Sequence, residues 1–193
     1  MSQIRKRILI SMFAIFAIAA ISLIASERLS PFAKVVAAAG AAPEMQRLQK
    51  FYLGTWEYTE AYPKSPFAPN GGQNTGTYTS ELGPGGNSLI NRFHSQGPVG
   101  DFEGLLIMTW DPKEKAYKSY IFGNDFPGSV VETGNFEGDA LVFHGEMTVR
   151  DSKITMRNSS RIDEKGKMTS EEYSAMGAAP ESLLVRVVAT RKP

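Results

Sequence analysis

The chain holds only two imidazoles, His94 and His144, and they bound what acid–base or metal chemistry it could carry. With Glu60 they would supply a general acid–base pair or a ligand set, since imidazole titrates near neutrality and a carboxylate can orient or complement it. The pattern around them argues otherwise. His94 follows Arg92 on one face of an alternating stretch and His144 alternates with Glu146, which predicts outer, solvated strand faces for both. Ser159, Ser160 and Ser174 lack the strand–turn–helix setting of a nucleophile elbow. The alternation Lys153, Thr155, Arg157, Ser159 and Arg161 against Ile154, Met156 and Ile162 reads as a solvated face. Cysteine is absent, which removes disulfides, thiolate metal sites, a thiol nucleophile and lipidation at an N-terminal Cys. No catalytic residue, metal site or cofactor is assigned.

Charge narrows the partners. Beyond residue 42 the chain carries 16 Lys or Arg and 19 Asp or Glu, a slightly acidic balance with no field to hold a nucleic acid. The N-terminus is different. Arg5-Lys6-Arg7 precedes an uncharged, mostly apolar run from Ile8 to Ala25, the positive and hydrophobic regions of an export signal. Its length, about 18 residues, is short for a spanning helix and long for a cleaved signal, so a signal peptide and an uncleaved membrane anchor both fit. Small residues suited to cleavage occur at Ala39-Gly40-Ala41. Either way the basic cluster stays cytoplasmic and the rest of the chain is exported. The expectation is a periplasmic or secreted domain over residues 43–193, behind a signal or anchor and tether over residues 1–42.

The elements that would position any site are strands. Pro43 to Leu53 places Met45, Leu48, Phe51 and Tyr52 at helical spacing, with Pro43 suited to a first turn. From Gly54 the period becomes two. The strand patterns are Gly54–Tyr62, Gly76–Leu82, Ser88–Gln96, Phe102–Trp110, Tyr117–Phe122, Ser129–Phe136, Leu141–Val149, Ile154–Ile162, Met168–Met176 and Leu183–Arg191. Gly, Asp or Pro turns separate them, and no helical stretch intervenes. About ten short strands in this order predict an all-β, antiparallel up-and-down barrel, because consecutive hairpins leave the first and last strands to pair and remove both edges. The Pro- and Gly-rich stretch Pro63–Asn74 is expected to be a flap.

Gly54-Thr55-Trp56, at the head of the first strand after a short helix, resembles the G-x-W motif of lipocalins and related calycin barrels. That resemblance implies a Trp closing the barrel base and an Arg of the last strand packed over it. Arg191 is the expected partner of Trp56, since it ends an antiparallel strand in phase with Leu183, Val185, Val187 and Ala189, whereas Arg186 lies mid-strand on the other phase. Phe102-Glu103-Gly104, Trp110-Asp111-Pro112 with Tyr117, and the Gly-rich turn Leu82–Gly86 are similar to a bacterial exported family, the domain of unknown function 1579. This family brings no settled activity. Nitrobindin-type haem barrels are similar in strand number and in the Gly-Thr-Trp start, but their haem is held by a His on the later strands, and the last two strand patterns here contain none.

The inward set predicted from alternation is Trp56, Tyr58, Tyr62, Phe93, Phe102, Met108, Tyr117, Phe143, Met156 and Met168. These side chains either fill a core or line a cavity with Glu60 as an embedded polar handle. On the cavity reading the ligand-binding candidates are Tyr58, Glu60, Tyr62, Phe93, Met108 and Tyr117, with Trp56 and Arg191 structural. Three functions compete: a carrier of a small hydrophobic molecule, a barrel enzyme using Glu60 with His94 or His144, and a membrane-tethered envelope interaction module needing an exposed apolar patch.

Overall fold

The computed structural model describes residues 41–149 and 151–193. The export segment or anchor expected over residues 1–42 lies outside them, apart from Ala41 and Ala42. Among the described residues, no helix is long and apolar enough to cross a membrane.

One helix, α1 (Pro43–Tyr52), precedes ten strands: β1 (Gly54–Tyr62), β2 (Gly72–Leu82), β3 (Ser88–Gly97), β4 (Gly100–Asp111), β5 (Ala116–Gly123), β6 (Val130–Glu137), β7 (Ala140–Val149), β8 (Ser152–Ile162), β9 (Lys167–Met176) and β10 (Ser182–Arg191). Each strand pairs antiparallel with its neighbours in sequence, and β1 pairs with β10 to close the barrel. Closure leaves no unpaired edge to template aggregation. The expected up-and-down order is therefore the observed one.

Local chemistry sets the turns. At the β4–β5 connection Asp111 Oδ1 accepts from the amides of Lys113 and Glu114 at 2.9 and 3.1 Å, and Lys115 takes the left-handed conformation that reverses the chain. Two details depart from the sequence reading. Strand β2 begins at Gly72, four residues before the expected start, so the connection from β1 shortens to residues 63–71. Its first residues are Gly, Gln and Asn, poor strand formers, but Asn74 is buried and ties the barrel rim: its amide donates to the Gly100 carbonyl and its Oδ1 accepts from the Val99 amide. On β10 a bulge between Leu183 and Val185 puts Leu183 opposite Tyr173, out of phase with Val185.

The two ends of the barrel differ. At the end where β1 starts, α1 lies against the opening and buries Met45, Leu48 and Tyr52 with Trp56, Tyr58, Leu89, Met108, Tyr117, Leu141, Phe143, Met168 and Ala189. Strands from around the barrel hold it there. The Tyr117 hydroxyl donates to the Glu44 carbonyl at 2.8 Å, Gln49 donates to the Gly86 carbonyl at 2.9 Å, and Arg47 donates to the Gly138 carbonyl while its guanidinium sits 3.8 Å from the Phe136 ring centre. The helix C-terminus leaves carbonyls without intrahelical partners. Arg191 meets two of them, Lys50 and Phe51, each at 3.2 Å, and its guanidinium stands 4.6 Å from the centre of the Trp56 ring. The indole N–H donates to the Tyr52 carbonyl at 2.8 Å. Gly54 makes this junction with φ of 112°, a conformation that side-chain-bearing residues rarely adopt.

Trp56 is fully buried, so Trp56→Ala should cost about 3–5 kcal/mol in urea denaturation, and Arg191→Ala about 1–2 kcal/mol through the lost cation–π contact and carbonyl bonds. A near-neutral Trp56→Ala would place the closure elsewhere.

Candidate functional site

Above the aromatic floor the lumen changes character. Strand register puts Glu60 (β1), Asn91 and Ser95 (β3), Ser119 (β5), Glu132 (β6), Asn158 and Ser160 (β8), and Ser170, Glu172 and Ser174 (β9) on the same inner surface as Trp56, Phe93 and Met108. Between them stand Phe93, Phe102, Leu106, Ile121 and Met156. Glu60, Tyr62, Phe93, Leu106, Ile121, Met156 and Glu172 face inward yet keep part of their surface in contact with water. Gly76, Gly104, Gly123, Gly134 and Gly145 occupy inward positions, and neighbouring side chains lie over them, Tyr58 on Gly76, Phe93 on Gly104, Phe126 on Gly123 and Phe143 on Gly134. The Glu132 side chain lies across one of them, its Cγ 2.7 Å from where a Cβ on Gly145 would stand.

Three carboxylates share this space. Glu60 Oε2 accepts from the Ser95 hydroxyl at 2.7 Å and from the Tyr62 hydroxyl at 3.0 Å. Glu132 is 6% exposed. Burial, the dominant cause, pushes its pKa up to about 7, with a hydrogen bond from the Ser119 hydroxyl opposing it. Glu172 is pushed up to about 7 as well, first by enclosure and then by the charges of Glu132, Asp125 and Glu60. Burial also raises Glu60, with Ser95 and Tyr62 opposing, and raises Tyr58 and Tyr62, which in addition feel the Glu60 charge. None of the three acids forms an ion pair among the described residues. Arg191, at the floor, is the single basic residue on the inner register of the described strands. Several buried polar atoms are also unpartnered: both amide atoms of Asn91 and the hydroxyl of Ser80 make no hydrogen bond among the described residues.

The candidates named from sequence divide between the two zones. Met108 and Tyr117 belong to the floor with Trp56. Tyr58 bridges floor and lumen, its ring tilted against Tyr78 and covering Gly76, while Glu60, Tyr62 and Phe93 line the lumen. The pairing of Glu60 with a histidine does not occur. His94 lies on the outer surface, 2.8 Å from Asp101, because it is one residue out of phase with the inward Phe93 and Ser95; His144 is exposed for the same reason beside Phe143. The barrel wall separates both from Glu60. On that outer surface Arg157 packs 4.3 Å from the Tyr173 ring centre and bonds Glu181. Tyr120, Phe122 and Val131 form an exposed apolar row, the feature an interaction module would require. No group of three or more His, Cys, Asp or Glu among the described residues is arranged to hold a metal ion. A cleft of about 740 Å³ opens outside the barrel beside α1, lined by Met45, Asn87, Trp110 and Lys115, but it is broadly open and holds none of the shifted acids.

Glu132 and Glu172 went unnoticed in the sequence, although alternation contains them. Glu132 has the phase of Val130 and Gly134, and of Glu171-Glu172 one must face inward once Met168 and Ser174 do.

A closed ten-stranded antiparallel barrel with a short helix packed on its floor defines the class of protein. Residues 41–191 match the family described as "Protein of unknown function (DUF1579)", and the chain belongs to that family. No curated protein matches it. Among solved structures, the barrel is similar to that of "Rv2717c from M. tuberculosis", with a TM-score of 0.59 and 14% identity over 79% of this chain and 99% of that one. At that identity the likeness concerns the fold alone.

The raised carboxyls give a signed pH dependence. Their folded pKa values lie above the ordinary 4.5, so the protonated form favours folding. The resulting stability is fully present below about pH 4.5 and is lost as pH rises through about 7. For Glu132 alone that is about 3 kcal/mol at 1.36 kcal/mol per pKa unit. Urea denaturation between pH 5 and 8 should show native stability falling, and Glu132→Gln should fall less and be the more stable protein at pH 8. Equal slopes for the two proteins would contradict the placement of Glu132.

Proposed function

We propose that the protein binds a small, mainly apolar molecule in the barrel lumen above the Trp56 floor. One observation carries this reading: inward-facing Glu60, Tyr62, Phe93, Ile121 and Glu172 remain partly exposed, whereas the floor beneath them is packed. A barrel of this strand number is wide enough for one small ligand, and apolar walls with a few convergent polar groups are the usual make-up of such sites. Tyr58, Glu60, Tyr62 and Phe93 are the residues that would meet the ligand, and Met108 and Tyr117 would support it from below. The Arg5-Lys6-Arg7 cluster and the apolar run after it favour a domain that works outside the cytoplasm, periplasmic, secreted or held at the membrane by residues 8–25.

Nile red, a neutral dye that brightens in apolar surroundings, is the first probe. The domain should take it up with a saturable fluorescence rise, and Ile121→Trp, which places an indole in the lumen, should abolish the rise while leaving the far-ultraviolet circular dichroism unchanged. Native mass spectrometry of protein from its own host should show a small molecule released on denaturation. Absence of both dye uptake and a co-purifying molecule would end the binding reading.

A further inference from the structure

The lumen is electrically one-sided, and it is polar in places where nothing satisfies it. Glu60, Glu132 and Glu172 point into it from β1, β6 and β9, and the charges of Glu60 and Glu132 both act on Glu172, so the three lie within reach of one field. Neither a salt bridge nor a basic side chain above the floor offsets them among the described residues. Independently, Asn91 is 97% buried with its amide oxygen and nitrogen both unpartnered. Ser119, the register partner of Glu132, is buried beside that carboxyl and hydrogen-bonds to it. An unpaired buried polar group costs about 1–3 kcal/mol and a buried unpaired charge more. Groups left in that condition on one inner surface are complementary to something that brings both donors and positive charge.

A divalent metal is a poor fit, because the carboxylates do not converge as a ligand set. An organic cation suits the spacing better. Its ammonium can lie among separated carboxylates and hydrogen-bond to them, and its hydrocarbon body can rest against Phe93, Leu106, Ile121 and Met156.

Resting on the lumen-binding reading above, we propose that the ligand is a primary or secondary alkyl- or arylamine bound as its ammonium ion, with Glu132 and Glu172 as its principal anchors and Glu60, Asn91 and Ser119 completing the polar contacts. The amine assigns a role to the one charged cluster that the wall encloses.

The test is a headgroup series on one chain length: n-octylammonium, 1-octanol and octanoate, titrated calorimetrically into the unmodified domain at pH 8, where the acids are ionised. Octylammonium should bind about tenfold or more tighter than octanol, and octanoate weakest. Glu132→Gln and Glu172→Gln should each weaken octylammonium by about tenfold while leaving octanol and the Nile red response within about twofold, with circular dichroism and melting checked for each variant. The headgroup ranking is measured on the native protein, so it stands even if a variant fails to fold. Equal affinity for the three headgroups, or a preference for octanoate, overturns the amine assignment and leaves lumen binding in place. Nile red uptake with no octylammonium binding overturns it as well. Failure of every probe, Nile red included, brings down both readings.

Discussion

The contact of Arg191 with Trp56 is the joint on which the rest of the barrel depends. Ten strands close only if β1 meets β10, and at the base of that seam the last residue of β10 reaches over the first large side chain of β1. The same guanidinium binds the two carbonyls at the end of α1, and the indole N–H binds a third. Closure of the sheet and docking of the helix are therefore one event, joined through two side chains. Once the helix seals this end, access to the interior is confined to the other, where the connections after β1, β3, β5, β7 and β9 lie.

That division explains why polar side chains can stand inside a small barrel. The floor concentrates the large apolar groups, Met45, Leu48, Trp56, Leu89, Met108 and Leu141, in one dry layer. Stability drawn from that layer tolerates an upper lumen with three carboxylates and several hydroxyls. Burial of Glu132 and Glu172 without an ion pair among the described residues raises both carboxyl pKa values.

The fold was legible because its determinants are local. Period-two alternation from Trp56 to Tyr62, the Gly83-Pro84-Gly85-Gly86 and Asp163-to-Gly166 turns, and the absence of any helical spacing after Tyr52 lead directly to a meander. The Gly-Thr-Trp start pointed further, to the end of the barrel that closes. The start of β2 was hidden because Gly72-Gln73-Asn74 has loop composition, and only the cross-rim hydrogen bonds of Asn74 make it strand. The lumen was legible in part. Glu60 stood out beside three aromatic residues of its own face, whereas Glu132 and Glu172 sit among polar residues that read as ordinary surface until strand pairing shows which face is inner. Their mutual influence is a property of the closed sheet, since Glu60 and Glu172 are more than a hundred positions apart in the chain.

Binding in the lumen, as proposed, requires an upper layer that admits a small molecule above a floor that does not. Methionine methyl groups report on both layers, Met156 from the lumen wall and Met45 from beneath the helix. Methyl NMR of ¹³C-methionine-labelled protein titrated with Nile red measures the difference directly. The account predicts that the Met156 resonance moves in a saturable way while Met45 stays in place. A fixed Met156, or a shift confined to Met45 or the exposed Met176, would contradict it.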